Sequence, residues 1–300
     1  MERQYMERKI VIMKKLWYIA AFCLILIGAA GALSYDWNSH DKNLHAFEKT
    51  WTFSPTELRN LDIESDYDVV VTFTKSSDGQ NSIQLNGRGT EKMIEKAKST
   101  EITNQSLELD LTRTPKKYIN FFDFSFAEAK EELVISVTDD TLLESLKIEL
   151  DSGNIDITDA ALARISEADL SADSGNVYLN RFKSDKLNID VDSGNINGSE
   201  VTASVSASAD SGNIKLEKMT GPSNLSVDSG SIKLYKLDTA NTDITADSGN
   251  VYVQVPSHFA GFYDLKVDSG NIKAPESTRQ TTDYVKVRAD SGNIKIEQQQ

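Results

Sequence analysis

Through the second half of the chain, apolar residues fall at alternate positions on both sides of a recurring polar corner. Ahead of the corner stand pairs such as Ile148/Leu150, Leu170/Ala172, Ile189/Val191 and Leu225/Val227. Behind it stand Ile155/Ile157, Val177/Leu179, Ile214/Leu216, Ile232/Leu234, Val251/Val253 and Ile294/Ile296. A period of two with β-branched residues predicts strands with one face buried and one in water. Two repeats depart behind the corner, where Ile196 is followed by Gly198 and Ile272 by Ala274.

The corner itself is Asp-Ser-Gly-Asn followed by Ile or Val. Its copies are Asp151/Gly153/Asn154, Asp173/Gly175/Asn176, Asp192/Gly194/Asn195 and Asp210/Gly212/Asn213. They continue as Asp228/Gly230 with Ser231 in the Asn place, Asp247/Gly249/Asn250, Asp268/Gly270/Asn271 and Asp290/Gly292/Asn293. Successive spacings of 22, 19, 18, 18, 19, 21 and 22 residues make this an internal repeat. A strand–turn–strand unit of that length cannot bury its apolar face alone, but stacked units share a continuous core. The predicted fold is therefore all-β, a β-solenoid of about eight coils. At about 4.8 Å per coil it rises roughly 38 Å. Equivalent residues then form a structural turn ladder of Asp, Ser, Gly and Asn. Asn side chains stacked this way satisfy one another's amides. Gly supplies a corner where a Cβ would clash with its own backbone and with the coil above. The aspartates repel in register, and we expect the turn N–H groups to relieve them.

Five segments follow along the chain. Residues 1–15 carry five basic and two acidic side chains. Residues 16–33 are uncharged and apolar, long enough for a transmembrane helix of about 27 Å. The positive flank places the N-terminus in the cytoplasm and the remainder outside. Ala30-Gly31-Ala32 fits a signal cleavage site, but the length of the run and the aromatic pairs Trp17/Tyr18 and Tyr35/Trp37 at its ends favour an uncleaved anchor. Residues 34–57 read as a polar stalk. Residues 58–145 read as a β-rich N-terminal part that caps the solenoid, with strands at Leu61–Ile63, Val69–Phe73, Ile83–Leu85, Leu107–Leu111 and Leu133–Val137 and one helix at Glu91–Lys98. Tyr118–Phe126 reads as a buried aromatic edge strand, an exposed partner-binding or membrane-surface patch being the alternative. Residues 146–300 are the repeat solenoid, whose free end we expect Lys295-Ile-Glu297 and the terminal glutamines to guard.

Charge narrows the partners. A net charge of −14 over 300 residues argues against nucleic acid. One cysteine, Cys23, lies inside the apolar run, so neither a disulfide nor a Cys-based zinc site is available.

With its strands first and then Ser-Gly-Asn-Ile/Val turns about every twenty residues, the run from Leu58 to Glu297 resembles the bacterial "putative adhesin" β-solenoid family. That family includes membrane-anchored LiaG-like proteins found beside cell-envelope stress systems. The resemblance implies a bacterial cell-membrane protein with a single span and an extracytoplasmic solenoid serving surface interaction or envelope-stress signalling.

Candidate chemistry is sparse. His40, His45 and His258 are scattered, and Gly87-Arg88-Gly89 reads as a turn because Lys92 stands where a phosphate loop needs glycine. A repeated Asp is not a tuned acid–base pair, so we expect no enzyme. The alternative is a carbohydrate-active β-helix enzyme acting on an envelope polysaccharide. Nothing implies a metal or other cofactor: each coil offers one Asp, whereas Ca²⁺ takes six to eight oxygens. The outward position behind each corner is more informative. It runs Asp156, Tyr178, Asn197, Lys215, Lys233, Tyr252, Lys273, Lys295. Its last five members form a candidate ligand-binding stripe, cationic on an acidic molecule, suited to an anionic envelope polymer or an acidic surface protein.

Overall fold

A computed structural model describes residues 44–112, 130–139 and 141–299. The apolar run of residues 16–33 and the aromatic segment of residues 118–126 lie outside these. Among the described residues no helix is long and apolar enough to cross a membrane.

From His45 onward the described residues form one compact unit. Its strands are β1 (His45–Phe53), β2 (Asn60–Ser65), β3 (Asp68–Lys75), β4 (Asn81–Gly89), β5 (Ser106–Leu111), β6 (Lys130–Val137), β7 (Leu142–Ser152), β8 (Ile155–Thr158), β9 (Arg164–Ser174) and β10 (Val177–Ser193). They continue as β11 (Ile196–Ser211), β12 (Ile214–Met219), β13 (Ser223–Ser229), β14 (Ile232–Lys236), β15 (Thr242–Ser248), β16 (Val251–Val255), β17 (Phe262–Ser269), β18 (Ile272–Lys273), β19 (Tyr284–Ser291) and β20 (Ile294–Gln298). The helix α1 (Glu91–Ser99) separates β4 from β5.

These strands stack as two sheet faces joined at the repeated corner. Ahead of the corner the order is β5, β2, β7, β9, β10, β11, β13, β15, β19, β17, all parallel. Behind it the order is β1, β4, β6, β3, β8, β10, β11, β12, β14, β16, β20, β18. Here β4 runs antiparallel to both β1 and β6, and the rest are parallel. Alternate residues of each strand point into one shared core, as in β3, where Val69, Val71 and Phe73 are buried.

The terminal coils are not stacked in sequence order. β19 lies between β15 and β17, and β20 lies between β16 and β18. The last coil of the chain is thus inserted beneath the penultimate one. Its apolar content explains the exchange. Val285, Val287, Ala289, Ile294 and Ile296 are all buried, a full complement that needs neighbours on both sides. The penultimate coil keeps only Ile272 behind its corner before Ala274 and Pro275, and a proline cannot continue a central strand. At the outside, Ile272 remains 44% exposed. The Lys295–Glu297 segment therefore sits inside the stack and does not guard the free end, which belongs to β17 and β18.

The N-terminal part differs from expectation in two places. Residues 45–53, read as stalk, form β1, because Phe47, Trp51 and Phe53 share one buried face. The indole Nε1 of Trp51 donates to the carbonyl of Thr100 at 2.8 Å. Gly87-Arg88-Gly89, read as a turn, is the end of β4, with Phe47 opposite Gly87. α1 starts at Thr90, whose hydroxyl accepts the Met93 N–H. It buries Met93 and Ala97.

Gly87 is required there by a neighbour. A Cβ at this position would lie 1.8 Å from Oε2 of Glu131. The Glu131 side chain is fully buried, and neither carboxyl oxygen has a hydrogen-bond partner. Desolvation pushes its pKa up to about 8, so it is held protonated at neutral pH.

Candidate interaction face

The repeated corner builds an Asn spine that breaks at Ser231. Asn176 Nδ2 donates to Asn154 Oδ1 at 2.8 Å, Asn195 to Asn176 at 2.9 Å, and Asn213 to Asn195 at 2.9 Å. Each Asn backbone N–H converges on the same acceptor. At the N-terminal end Asp68 takes the place of an Asn and accepts from Asn154. Ser231 contributes only its N–H, to Asn213 Oδ1. The spine then resumes in spatial order, Asn293 donating to Asn250 and Asn271 to Asn293.

Seven of the corner glycines pack carbonyl on Cα. A Cβ on Gly175, Gly194, Gly212, Gly230, Gly249, Gly270 or Gly292 would fall 1.4–1.7 Å from the carbonyl oxygen of the glycine stacked against it. Gly153 is the first rung of the predicted ladder: Gly175 packs on its carbonyl oxygen, but the corner on its other side is not a glycine. Its would-be Cβ meets instead the backbone of Tyr67 and Asp68, at 2.8 Å, because the bend between β2 and β3 lacks the repeated sequence. Gly153 keeps a positive φ, 111°, and its N–H bonds the Ser174 carbonyl at 2.9 Å, so it still closes the corner. The N–H groups of Gly175, Gly194, Gly212, Gly230, Gly249 and Gly292 do the same, as Gly194 N–H does with Ser211 at 2.9 Å. The turn donors are therefore spent on Ser carbonyls and Asn side chains, contrary to the expectation that they relieve the aspartates. Asp173, Asp192, Asp210, Asp228, Asp247 and Asp290 instead stay exposed to water, and Asp268 pairs with Lys266 at 2.8 Å. Among the described residues no group of three or more His, Cys, Asp or Glu side chains is placed to hold a metal ion.

A second ladder went unseen in the sequence. Asp159, Arg181, Glu200 and Lys218 each stand eight residues after a corner Asp and share a positive φ, between 52° and 64°. Their charges alternate up the stack. Arg181 bonds Asp159 through both Nε and Nη2, and Lys218 bonds Glu200 at 2.7 Å. The Arg181 guanidinium holds the Asp159 carboxyl below its ordinary value. The constant offset of eight and the alternating sign were the available signals. In the next coil the same offset falls on Lys236, which turns inward and pairs with Asp238 at 2.9 Å.

The stripe residues occupy one register row. Lys215 lies opposite Lys233, Lys233 opposite Tyr252, Tyr252 opposite Lys295, and Lys295 opposite Lys273. Relative to chain order, Lys295 and Lys273 exchange places, which follows from the inserted coil. The next outward row carries Glu217, Tyr235, Gln254 and Glu297. Two lysines are internally compensated: Lys215 with Glu217 at 2.8 Å and Lys295 with Glu297 at 2.7 Å. Lys233 and Lys273 have no ion pair among the described residues. Tyr252 donates to Glu297 at 2.8 Å and packs 5.4 Å from Tyr235, and Lys295 Nζ lies 5.5 Å from its ring centre. Partial burial and Glu297 push the Tyr252 hydroxyl up to about 12, so it remains a donor at any physiological pH.

The stripe runs at one end into a shallow groove of about 260 Å³, where Asn197, Gly198 and Ser199 present short side chains between Tyr178 and Asn180 on one side and Lys215 and Glu217 on the other. Tyr178 is 41% exposed there. The face is thus a flat array of ammonium, phenol, amide and carboxylate groups about 4.8 Å apart from strand to strand. His45 and His258 are exposed and stand apart from it, on β1 and after β16.

Residues 58–297 match the family described as Toastrack DUF4097. The chain belongs to that family. Several solved structures are similar to this Toastrack chain. One is a putative adhesin from Bacteroides fragilis, at 16% identity, 84% of this chain, 97% of that one and a TM-score of 0.45. Others are a putative cell adhesion protein from Clostridium sporogenes (12% identity, 85% and 100%, 0.24) and a putative adhesin from Parabacteroides distasonis (12%, 84% and 98%, 0.29). No curated protein matches the chain.

Proposed function

We propose that this Toastrack protein is a non-enzymatic cell-surface interaction module that binds an extended anionic envelope polymer along the Lys215–Lys233–Tyr252–Lys295–Lys273 row. The supporting observation is the register: five such residues on five neighbouring strands, with Lys233 and Lys273 uncompensated, on a chain of net charge −14. A linear polyanion laid across the strands meets a cation or a phenol at each step, and such attraction is screened by salt. Changing Lys215, Lys233, Lys273 and Lys295 together to Gln lowers retention on purified anionic wall polymer by roughly tenfold or more at low salt, with an unchanged melting temperature, since exposed lysines add little to stability. Equal retention of the wild type and the quadruple variant overturns the assignment.

In the same proposal residues 16–33 hold the solenoid on the outer surface of the membrane, where an envelope-stress role has access to its ligand. Protease added to intact protoplasts is expected to remove the solenoid and leave the N-terminal segment cell-associated. Recovery of an intact solenoid starting near Leu33 in the medium shows instead that the segment is cleaved.

A further inference from the structure

We propose that the free end of the solenoid is a self-association edge, at which β17 pairs antiparallel with β17 of a second copy of this chain about a two-fold axis. β17 and β18 are each hydrogen-bonded on one side only, to β19 and β20. In a parallel ladder the N–H and C=O of one residue point to the same neighbour, and successive residues alternate. The Phe262 N–H points inward to Asp283. The Tyr263, Leu265 and Val267 groups therefore point out of the stack. The Tyr263 N–H is taken by Ser277 Oγ at 2.9 Å, which leaves Leu265 and Val267 for a further strand.

The side chains there are those of an uncovered layer. Leu265 and Val267 are only half-buried, and Ile272 is 44% exposed, whereas their counterparts one strand inward, Val287, Ala289 and Ile294, are buried. Such an edge ordinarily carries a proline, a bulge or a covering segment. Here Pro275 falls beyond β18, and the charged tail that could have covered the end is inserted beneath it.

The occupant follows from charge and from the two ends of the stack. β17 carries Asp264, Lys266 and Asp268 on its outward face. An antiparallel copy centred on Leu265 sets Lys266 opposite Asp264, and one centred on Val267 sets it opposite Asp268. Both registers also juxtapose the unpaired backbone groups, so the strand is complementary to itself. The other end is built differently, with α1 lying against β5 through the Lys96–Asp110 pair. Like therefore meets like, giving a closed two-fold pair in place of a filament. This proposal is independent of the lysine row.

The test is sedimentation of the full chain in detergent, with protein raised to the order of 0.1–1 mM, where a small interface becomes populated. Wild type is expected to shift toward twice the protomer mass. Val267→Pro, which deletes an outward N–H that the protomer does not use, returns it to the protomer mass with the same circular dichroism. Lys266→Glu also weakens the pair, and Asp264→Lys with Asp268→Lys in that background restores it. Restoration cannot come from misfolding. A wild type that stays at the protomer mass throughout, or variants that pair as well as wild type, overturns the proposal.

Discussion

Gly212→Ala abolishes cooperative folding of the coil stack, and Gly212→Val does so at least as completely. The added Cβ lands 1.5 Å from the carbonyl oxygen of Gly194, a backbone atom fixed within the stack. Neither coil can retreat, since the strands beside the corner are held in continuous register from β8 to β18. The φ of 158° adds strain for any L side chain. A loss beyond about 4–5 kcal/mol is expected, at the extreme of single substitutions. Two controls in the same melting experiment separate this cause from general glycine effects. Gly79 also has a positive φ, 77°, but nothing lies within 4 Å of its would-be Cβ, so Gly79→Ala costs about 1 kcal/mol. Asp210→Asn, two residues before Gly212 and exposed, changes stability by less than about 0.5 kcal/mol. A Gly212→Ala protein that melts within a few degrees of wild type shows that the coils can part, contrary to this account.

Glu131→Gln is expected to reverse in sign with pH. In the unfolded chain the carboxyl titrates near 4.5, and in the folded chain burial moves this to about 8. Below 4.5 both states are protonated and the group is neutral in its effect. Between 4.5 and 8 the unfolded state loses its proton while the folded state keeps it, so stability falls as pH rises, by about 1.4 kcal/mol per unit. Above 8 the loss levels off at roughly 3–5 kcal/mol. Gln has no proton to lose, but its amide is left without a partner in the same pocket. At about pH 5 the variant is therefore equal to or slightly weaker than wild type, and at about pH 9 it is stronger by several kcal/mol. Urea melts of both proteins at about pH 5, 7 and 9 measure the difference directly, cancelling the titration of all other groups. Parallel curves for the two proteins across that range refute the assignment of a neutral Glu131.

Several features were legible before any coordinates. Strict alternation around Asp-Ser-Gly-Asn specified strands, corners and stacking, because a buried face with period two admits one register: slipping by one residue puts every apolar side chain in water. The Asn spine was also readable, down to its break at Ser231. So was the lysine row, since outward positions of equivalent strands must align once the repeats stack. β1 was within reach as well: Phe47, Trp51 and Phe53 share one face as apolar residues of the other strands do, but their hydrophilic neighbours suggested a stalk.

Other features depended on which coil sits on which. The order of the last two coils cannot be read from periodicity, as both carry the same corner and either fits above β16. The choice rests on how much apolar surface each leaves uncovered, with Pro275 and Ala274 consigning the poorer coil to the outside. At the opposite end, Gly153 carries the same corner sequence as its successors, yet it packs on Tyr67 and Asp68 because β2 and β3 are its neighbours. Glu131 looks like an ordinary strand-surface acid by composition, and only the antiparallel packing of β4 beside β6 buries it against Gly87. The aspartates looked like a problem for the corner to solve, yet the corner's donors are consumed by the coils on either side. The chain by itself determined the repeating unit, because one coil's strands and turn are local and repeated eight times. The tertiary structure alone decided the order of the coils, the identity of the free edge and the charge state of the buried acid, because each depends on which distant residues lie alongside.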